Sequence, residues 1–419
     1  MTPNTLTNTH PNTHPDTHAD SGIDLLAGYA RRIRAAAAEG RSLHVRGGGS
    51  KDFYGNAPAA PGLSGAAESP EVLDTRGWHG ILAYEPSELV ITARAGTPLA
   101  LLQQTLAEAG QYLPCESPLF GTATSAASAT LGGMVAAGLS GPGRMAAGAV
   151  RDFVLGATLM DGQGEIKRFG GTVMKNVAGY DVARALTGSM GTLGLLLDVS
   201  VKTLPLAPAE ATLCFEFDQL RMIEQLNRWS AQPLPLSASL WQLRDGAGVL
   251  HLRLRGAQAA VAAACQRLGG ERLDDSAATQ LWDDVREQRH RWFLPQGKPQ
   301  QSCSEDLWRI AVPSTTPALD LDGPTLIEWA GGLRWLRVAV SSVAERMAQA
   351  ALIRATAERA GGHATLFRRA SLAAEGVTGQ AEPEAFHPLK PAMMALQQRL
   401  KHAFDPHRVF NRGRLYRAF

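Results

Sequence analysis

Short apolar runs alternate with longer Ala-rich stretches along this chain, and the two textures predict strands and helices in turn. Ile23 to Glu39 carries Ala runs and stops at Gly40, which predicts a helix. Ser42 to Arg46 predicts a strand ending at Gly47. Ile81–Tyr84 and Leu89–Ala93 predict two more. Thr97-Pro98 opens a helix to about Ala109, with Thr as its cap and Pro in its first turn. Phe153–Met160 and Glu165–Phe169 flank Asp161-Gly162-Gln163-Gly164, a hairpin turn. No helix follows that Gly-x-Gly, so it is turn chemistry rather than a dinucleotide fingerprint. Leu195–Leu204 predicts a further strand, closed by Pro205 and Pro208.

The texture changes near residue 208. From Ala209 to about Arg369, apolar runs (Leu213–Phe217, Val249–Leu254, Leu333–Val340) alternate with Ala-rich helical stretches (Gln258–Leu268, Val343–Ala360), which predicts an α+β second domain. A looser segment, Ser371 to Pro383, precedes a final helix, His387–Phe404, and Asp405–Phe419 is expected to be extended. At the other end, residues 1–22 repeat Asn-Thr-His-Pro. His10, His14 and His18 recur every four residues, but Pro11 and Pro15 forbid the helix that would align them, so a disordered tail is expected. The expected division is 1–22 as tail, 23–207 and 208–386 as two domains, and 387–419 as a returning C-terminal segment.

Composition narrows the possible functions. The chain has 419 residues, enough for two or three domains. Lys and Arg number 41 against 39 acidic residues, which lacks the basic excess of a nucleic-acid binder. Cys115, Cys214, Cys265 and Cys303 are too dispersed for an iron–sulfur cluster or structural zinc, and no metal site is expected. That usage fits a reduced, cytoplasmic chain. No signal peptide is expected, since no apolar run precedes Arg31. Ser117 to Gly143 is uncharged but built of small residues, so it predicts ligand-binding backbone rather than a transmembrane segment. Trp282, Trp292, Phe293 and Trp308, with Arg286, Arg289 and Arg291, suit either a partner surface or a core with solvated arginines.

Three glycine clusters carry the chemistry. The first is Arg46-Gly47-Gly48-Gly49-Ser50-Lys51, after a strand. Its glycines let successive amides point at one anion, with Ser50, Lys51 and Arg46 adding donors and charge; a plain tight turn is the other reading. The second runs from Thr130 through Gly132, Gly133 and Met134 to Ala136, Ala137 and Gly138. The third is Gly188-Ser189-Met190-Gly191-Thr192-Leu193-Gly194, entering a strand. Either of these alone could be close packing. Together they can serve a pyrophosphate and a flat ring. A polar loop between them holds Lys175, Asn176, Tyr180 and Asp181.

These clusters in this order resemble the PCMH-type FAD-binding domain of the vanillyl-alcohol oxidase flavoprotein family over residues 23–207. Arg151–Gly162, Gly170–Asp181 and Leu400–Asn411 look like its glycolate oxidase FAD-binding subunits, except that Asn411-Arg412-Gly413 stands where Asn-Pro-Gly is usual. The resemblance implies a two-subdomain FAD-binding domain followed by an α+β cap. It implies FAD held by Arg46–Lys51, Thr130–Met134 and Gly188–Gly194, with Lys175 and Asn176 nearby. Covalent members carry His in the first loop. Here Gly49 or Ser50 stands there and only Cys115 could form a second tether, so dissociable FAD is expected.

The resemblance further implies oxidation of glycolate or another small 2-hydroxy acid, with C2 hydride passing to the flavin. Catalytic relatives carry His-x-Gly-Asp-Gly-Asn in the second domain, and this chain lacks it. The nearest base is His363 and the nearest carboxylate clamp Arg368, although a helix-ending Gly pair followed by a strand with surface arginines is the stronger reading of both. The alternative is a flavin-binding assembly or electron-transfer subunit whose partner does the chemistry. Implied partners are a second FAD-linked oxidase subunit and an iron–sulfur subunit, with any membrane contact peripheral and through them.

Overall fold

The computed structural model describes residues 17–57, 70–121, 129–171, 181–294, 305–372 and 382–419, with the side chains of 17–21 left aside. Two sheets organise it. Five antiparallel strands run in the order Ile81–Glu85, Val90–Arg94, Leu195–Lys202, Val154–Met160 and Ile166–Gly170. The inner strands are buried along most of their length. Ile91, Ala93, Val154, Leu159, Val199 and Val201 join Leu99, Leu102 and Leu106 of the helix Leu99–Glu108 in one core. A parallel pair, Leu43–Arg46 with Glu71–Asp74, stands apart from this sheet and delivers the first glycine loop. The helix Thr17–Ala38 packs over the pair through Tyr29, Ile33 and Ala36.

The second sheet has eight strands, ordered Glu271–Arg272, Ala209–Glu216, Ala247–Gly256, Leu236–Arg244, Thr325–Glu328, Leu333–Ala339, Glu305–Ala311 and His363–Arg368, all antiparallel. Alternation gives each strand two faces. Leu213, Trp241, Leu250 and Ile327 pack under Met222, Leu226 and Val261 of the helices Gln219–Ser230 and Gln258–Leu268. Trp308, Ile310 and Leu336 pack under Ile353 and Ala357 of Val343–Arg359. The opposite face, with Leu240, Leu307, Leu326, Trp335 and Phe367, packs on Ala137 and Met190 of the glycine clusters and on Tyr54 and Leu139 just beyond them. The sheet is therefore covered on one side by its own helices and on the other by the half that carries the glycine clusters.

Several elements differ from the sequence expectation. The first helix begins at Thr17, inside the segment expected to be a tail. Thr97 does not cap its helix: Pro98 is the N-cap, and Thr97 Oγ1 accepts from Gly80 N at 2.8 Å instead. The final helix starts at Pro391 rather than His387, because the residues preceding Pro388 and Pro391 are pushed out of the helical region. Residues 405–419 are a run of turns with one isolated bridge, Leu43 to Phe410, and not extended chain. Trp282, Trp292, Phe293 and Trp308 are all buried, so the core alternative holds and the partner surface does not.

One charge network ties the loop preceding the second glycine cluster to the eight-stranded sheet. Glu116 accepts from Arg253 at 2.8 and 3.0 Å, from Arg255 at 2.9 Å and from Gly143 N at 2.7 Å. Burial alone would raise its pKa, but the charges of Arg253 and Arg255 overrule it and hold the carboxyl below the ordinary glutamate value. Leu119 N and Phe120 N are fixed in the same way by Glu287 Oε2, at 3.0 and 2.8 Å. Breaking a buried pair from one side costs about 3 kcal/mol, since the partner charge stays buried. Glu116→Gln is expected to lower the thermal midpoint at neutral pH. That deficit should shrink as pH falls through the depressed folded pKa, where wild-type Glu116 is itself protonated. Thermal unfolding at a series of pH values checks both.

Candidate functional site: three glycine loops and a buried arginine

The three clusters converge. A Cβ at Gly47 would collide with Thr130 Oγ1, so the first loop lies directly on the second. Thr130 caps the helix Leu131–Ala137 by accepting from Gly133 N at 3.2 Å. That helix ends at Gly138, whose Cβ would fall 3.1 Å from Gly188 Cα, so the second cluster lies on the third. Gly188 N and Met190 N donate to Val135 O and Ala136 O at 2.9 Å each. Gly188 has φ near 80° and nothing within 4 Å of where its Cβ would stand. Bare backbone is thus required at the contacts between loops and opens onto free space at Gly188.

The C-terminal turns close the circle. Asn411 Oδ1 accepts from Val45 N at 2.8 Å, and its Nδ2 donates to Met190 O at 2.7 Å, so one side chain joins the strand before the first loop to the third. Lys401 donates to Thr192 O at 2.6 Å, Phe410 O at 3.0 Å and Asp405 Oδ2 at 2.6 Å. Asp405 also accepts from Val409 N and Phe410 N at 2.8 Å each. Arg414 donates to Asn56 O at 2.9 Å and Asp52 O at 2.6 Å, just past the first loop.

The sequence-chosen residues divide into groups. Arg46 pairs with Asp52 at 2.6 Å and folds back against Gly49, whose φ is near 78°. Lys51 is largely enclosed. Burial pulls its pKa down to about 8, opposed by Glu287, and among the described residues its Nζ meets only Ser50 Oγ at 3.4 Å and the Phe120 ring at 5.6 Å. Thr187 Oγ1, beside the third loop, is buried without a partner among the described residues. An enclosed lysine, an orphaned hydroxyl and one glycine facing open space fit a diphosphate carried by a flat ring system. Gly132 and Gly194 are packing positions. A Cβ on Gly132 would fall 2.8 Å from Ala95 Cβ, and one on Gly194 2.8 Å from Met160 O. Thr192 is fully buried and donates to Ser189 O at 2.7 Å. Lys175 and Asn176 lie outside the described residues.

His363 and Arg368 stand at opposite ends of one strand, roughly 16 Å apart at about 3.3 Å per residue, too far to hold one small acid between them. Arg368 donates to Gln288 Oε1 at 3.0 Å and covers the Phe53 ring at 4.9 Å. His363 is exposed, 6.5 Å from the His387 ring. Partial desolvation, then Arg309, His387 and Arg144, lowers its pKa.

Sequence reasoning missed the centre of this face. Arg309, opposite Thr365 in the register, stacks on Trp329 at 5.1 Å, and Arg144, from the short helix Arg144–Ala147 after the second glycine cluster, stacks on the same indole at 4.5 Å. Trp329 Nε1 donates to Gly141 O at 3.1 Å, and Trp329 and Ala330 both hold positive φ, near 53° and 54°. Such backbone persists only where its surroundings impose it. No hydrogen bond or ion pair binds the Arg309 guanidinium among the described residues. Burial lowers its pKa, offset by Tyr54 and Glu328. Glu328 is buried, accepts from Trp335 Nε1 at 2.7 Å, and is pushed up to about 7 by burial, with Trp335 and Arg309 opposing and Glu116 adding. The missed signal was charge inside apolar runs, Leu307-Trp308-Arg309-Ile310 and Leu326-Ile327-Glu328.

Two substitutions test the convergence. Asn411→Ala unties the first loop from the third and is expected to lower FAD content per purified chain by at least about tenfold, given about 1–3 kcal/mol for each buried group left unpaired. Gly47→Ala drives a methyl into Thr130 and is expected to do the same. The absorbance ratio of flavin to protein measures both.

Residues 28–170 match the family described as FAD binding domain. The chain is 41% identical to glycolate oxidase subunit GlcE of Escherichia coli K12 over 385 residues, 92% of this chain and 95% of that protein. It is 28% identical to glycolate oxidase subunit GlcD of Bacillus subtilis 168 over 45% of this chain and 37% of that protein. With a D-lactate dehydrogenase of Anaerostipes hadrus it shares 30% identity over 33% of this chain and 28% of that one. A solved alkyldihydroxyacetonephosphate synthase superposes with a TM-score of 0.59 over 91% of this chain and 74% of that chain at 13% identity, a likeness of fold alone. The chain therefore carries a PCMH-type FAD-binding domain, its cofactor is FAD, and it belongs to the GlcE family of FAD-linked oxidoreductase subunits.

Proposed function

We propose that this chain oxidises glycolate or a related small 2-hydroxy acid to the 2-oxo acid at its own FAD, as one subunit of a glycolate oxidase complex. The observation that carries this is the Arg309 guanidinium, which has no hydrogen bond or ion pair among the described residues. It lies on the sheet face that packs against the glycine clusters, beside Arg144 on a shared indole. Two guanidiniums within reach of one ring repel each other, and Arg309 is the second cause, after burial, of the lowered Arg144 pKa. A substrate carboxylate relieves that repulsion and can take paired N–H bonds from a guanidinium. The relatives named for glycolate oxidase and D-lactate dehydrogenase support a 2-hydroxy acid and favour this reading over an assembly-only subunit.

In this reading Arg46–Lys51, Thr130–Gly133 and Gly188–Gly191 hold the FAD, whose flavin takes the hydride. Arg309 binds the carboxylate, and Arg144 adds to the positive field. The FAD is dissociable. No His stands in the first loop, and Cys115 is 1% exposed, with burial raising its thiol pKa against the Ser117 hydrogen bond. Electrons leave through a second FAD-linked subunit and an iron–sulfur subunit. No described helix is long and apolar enough to cross a membrane, and the proposed location is cytoplasmic, with peripheral membrane contact through those partners.

Purified chain mixed with glycolate without oxygen is expected to lose its flavin absorbance band, and an unbleached band would defeat the proposal. Arg309→Met should keep its FAD and raise the half-saturating glycolate concentration about 10- to 100-fold, the loss of roughly 1.5–3 kcal/mol for a hydrogen bond to a charged group.

A further inference from the structure

We infer that Glu328 is the proton acceptor of this oxidation, standing where the chain lacks the His-rich motif of its catalytic relatives. The inference rests on the reading of Arg309 as the carboxylate site. Its basis is a gap. Glu328 and Arg309 both belong to the inner face of the eight-stranded sheet, and each feels the other's charge, yet no ion pair within 4 Å joins them among the described residues. A buried carboxylate and a half-buried guanidinium that served only stability would close on each other, because each loses water without gaining a partner.

Both groups are held apart by what surrounds them. Trp335 Nε1 fixes Glu328 Oε1 at 2.7 Å, leaving Oε2 without a hydrogen bond among the described residues. Trp329, the next residue, turns through positive φ and anchors on Gly141 O, and the Arg309 guanidinium sits 5.1 Å from its ring. Tyr54 lies beside Arg309 with no hydrogen bond from its hydroxyl among the described residues. Three polar ends thus face one another with no hydrogen bond between them among the described residues. A 2-hydroxy acid held among them presents its carboxylate to Arg309 and its hydroxyl to Glu328.

The step balances within this arrangement. The O–H bond of the 2-hydroxyl breaks and its proton goes to Glu328 Oε2. The C2–H bond breaks with both electrons, which travel as hydride to the oxidised flavin and reduce it. The electron pair left on oxygen closes the C=O bond of the 2-oxo acid. Glu328 then returns its proton to water. A base must be ionised to act, and a glutamate titrating at about 7 is matched to neutral conditions. The charged groups facing it are Arg309 from the neighbouring strands, Glu116 from the FAD-binding half and, across Trp329, Arg144; His363 stands farther out on the Arg309 face. The rate of flavin reduction should therefore rise with pH through about 7.

The test uses the full FAD-loaded chain and three variants, Glu328→Gln, Glu328→Asp and His363→Ala. Flavin reduction by glycolate is followed by anaerobic stopped flow across pH 5.5–9, roughly bracketing that titration. Oxalate, which has no C2 hydrogen, is titrated separately by its perturbation of the flavin spectrum. Glu328→Gln is expected to slow reduction by about 10²–10⁴-fold and to abolish the rise through pH 7. FAD content and the oxalate Kd should stay within about threefold, and Glu328→Asp should recover part of the rate. Wild-type kinetics in Glu328→Gln, loss of the pH limb in His363→Ala instead, or loss of FAD or oxalate binding in both Glu328 variants would overturn the inference. The last result would make Glu328 a counter-charge for Arg309. Failure of wild type to be bleached, with oxalate still bound, would remove the oxidation itself and this step with it.

Discussion

The amide of Asn411 is the constraint on which the cofactor site depends. The first glycine loop follows a two-stranded parallel pair, and the third enters a five-stranded sheet; among the described residues no strand pairing joins those two units. Asn411 bridges them by accepting from Val45 N and donating to Met190 O. It holds φ near 43°, a left-handed conformation that Asn tolerates better than most residues. Lys401 and Asp405 in turn hold the turns that present it, in a network whose donors and acceptors saturate each other. A half-satisfied version of such a buried network would be worse than none. The last residues of the chain thus complete a site begun near its start.

The second constraint is the meeting of the two halves. The inner face of the eight-stranded sheet is apolar and buried where it covers the glycine clusters. Arg309 and Glu328 break that rule on the same face. Left-handed non-glycine residues gather around this junction, namely Glu116, Phe120, Met190, Gln288, Trp329 and Ala330. Each is held by tertiary bonds rather than by preference, and they mark where packing has been subordinated to placing side chains. Glu116, held by Arg253 and Arg255, and Glu287, holding Leu119 N and Phe120 N, keep the halves in register from the edge.

Much of this was legible in the sequence, for physical reasons that can be named. Strands such as Leu43–Arg46 and Leu195–Lys202 sit between glycine or proline boundaries, and their apolar runs are long enough to show. Glycine clusters are legible because only glycine suits backbone contact, and the contacts of Gly47 with Thr130 and Gly138 with Gly188 are of that kind. Gly132 and Gly194 carry the same signature for packing alone, which sequence cannot separate from ligand contact. The C-terminal turns were misjudged because their order comes from Asp405 and Lys401, not from local preference. Arg309 and Glu328 went unseen because they lie on strands Glu305–Ala311 and Thr325–Glu328, which charges interrupt, and only the sheet register brings them to one face. His363 and Arg368, chosen for proximity in sequence, were separated by the same strand geometry.

Hydrogen exchange of the full-length chain, stripped of flavin and then saturated with FAD, tests the shared grip most directly. Saturation at one FAD per chain should slow exchange together at residues 46–51, 130–138, 188–192 and 401–414. No uptake of flavin, or protection confined to one of those segments, would contradict the account.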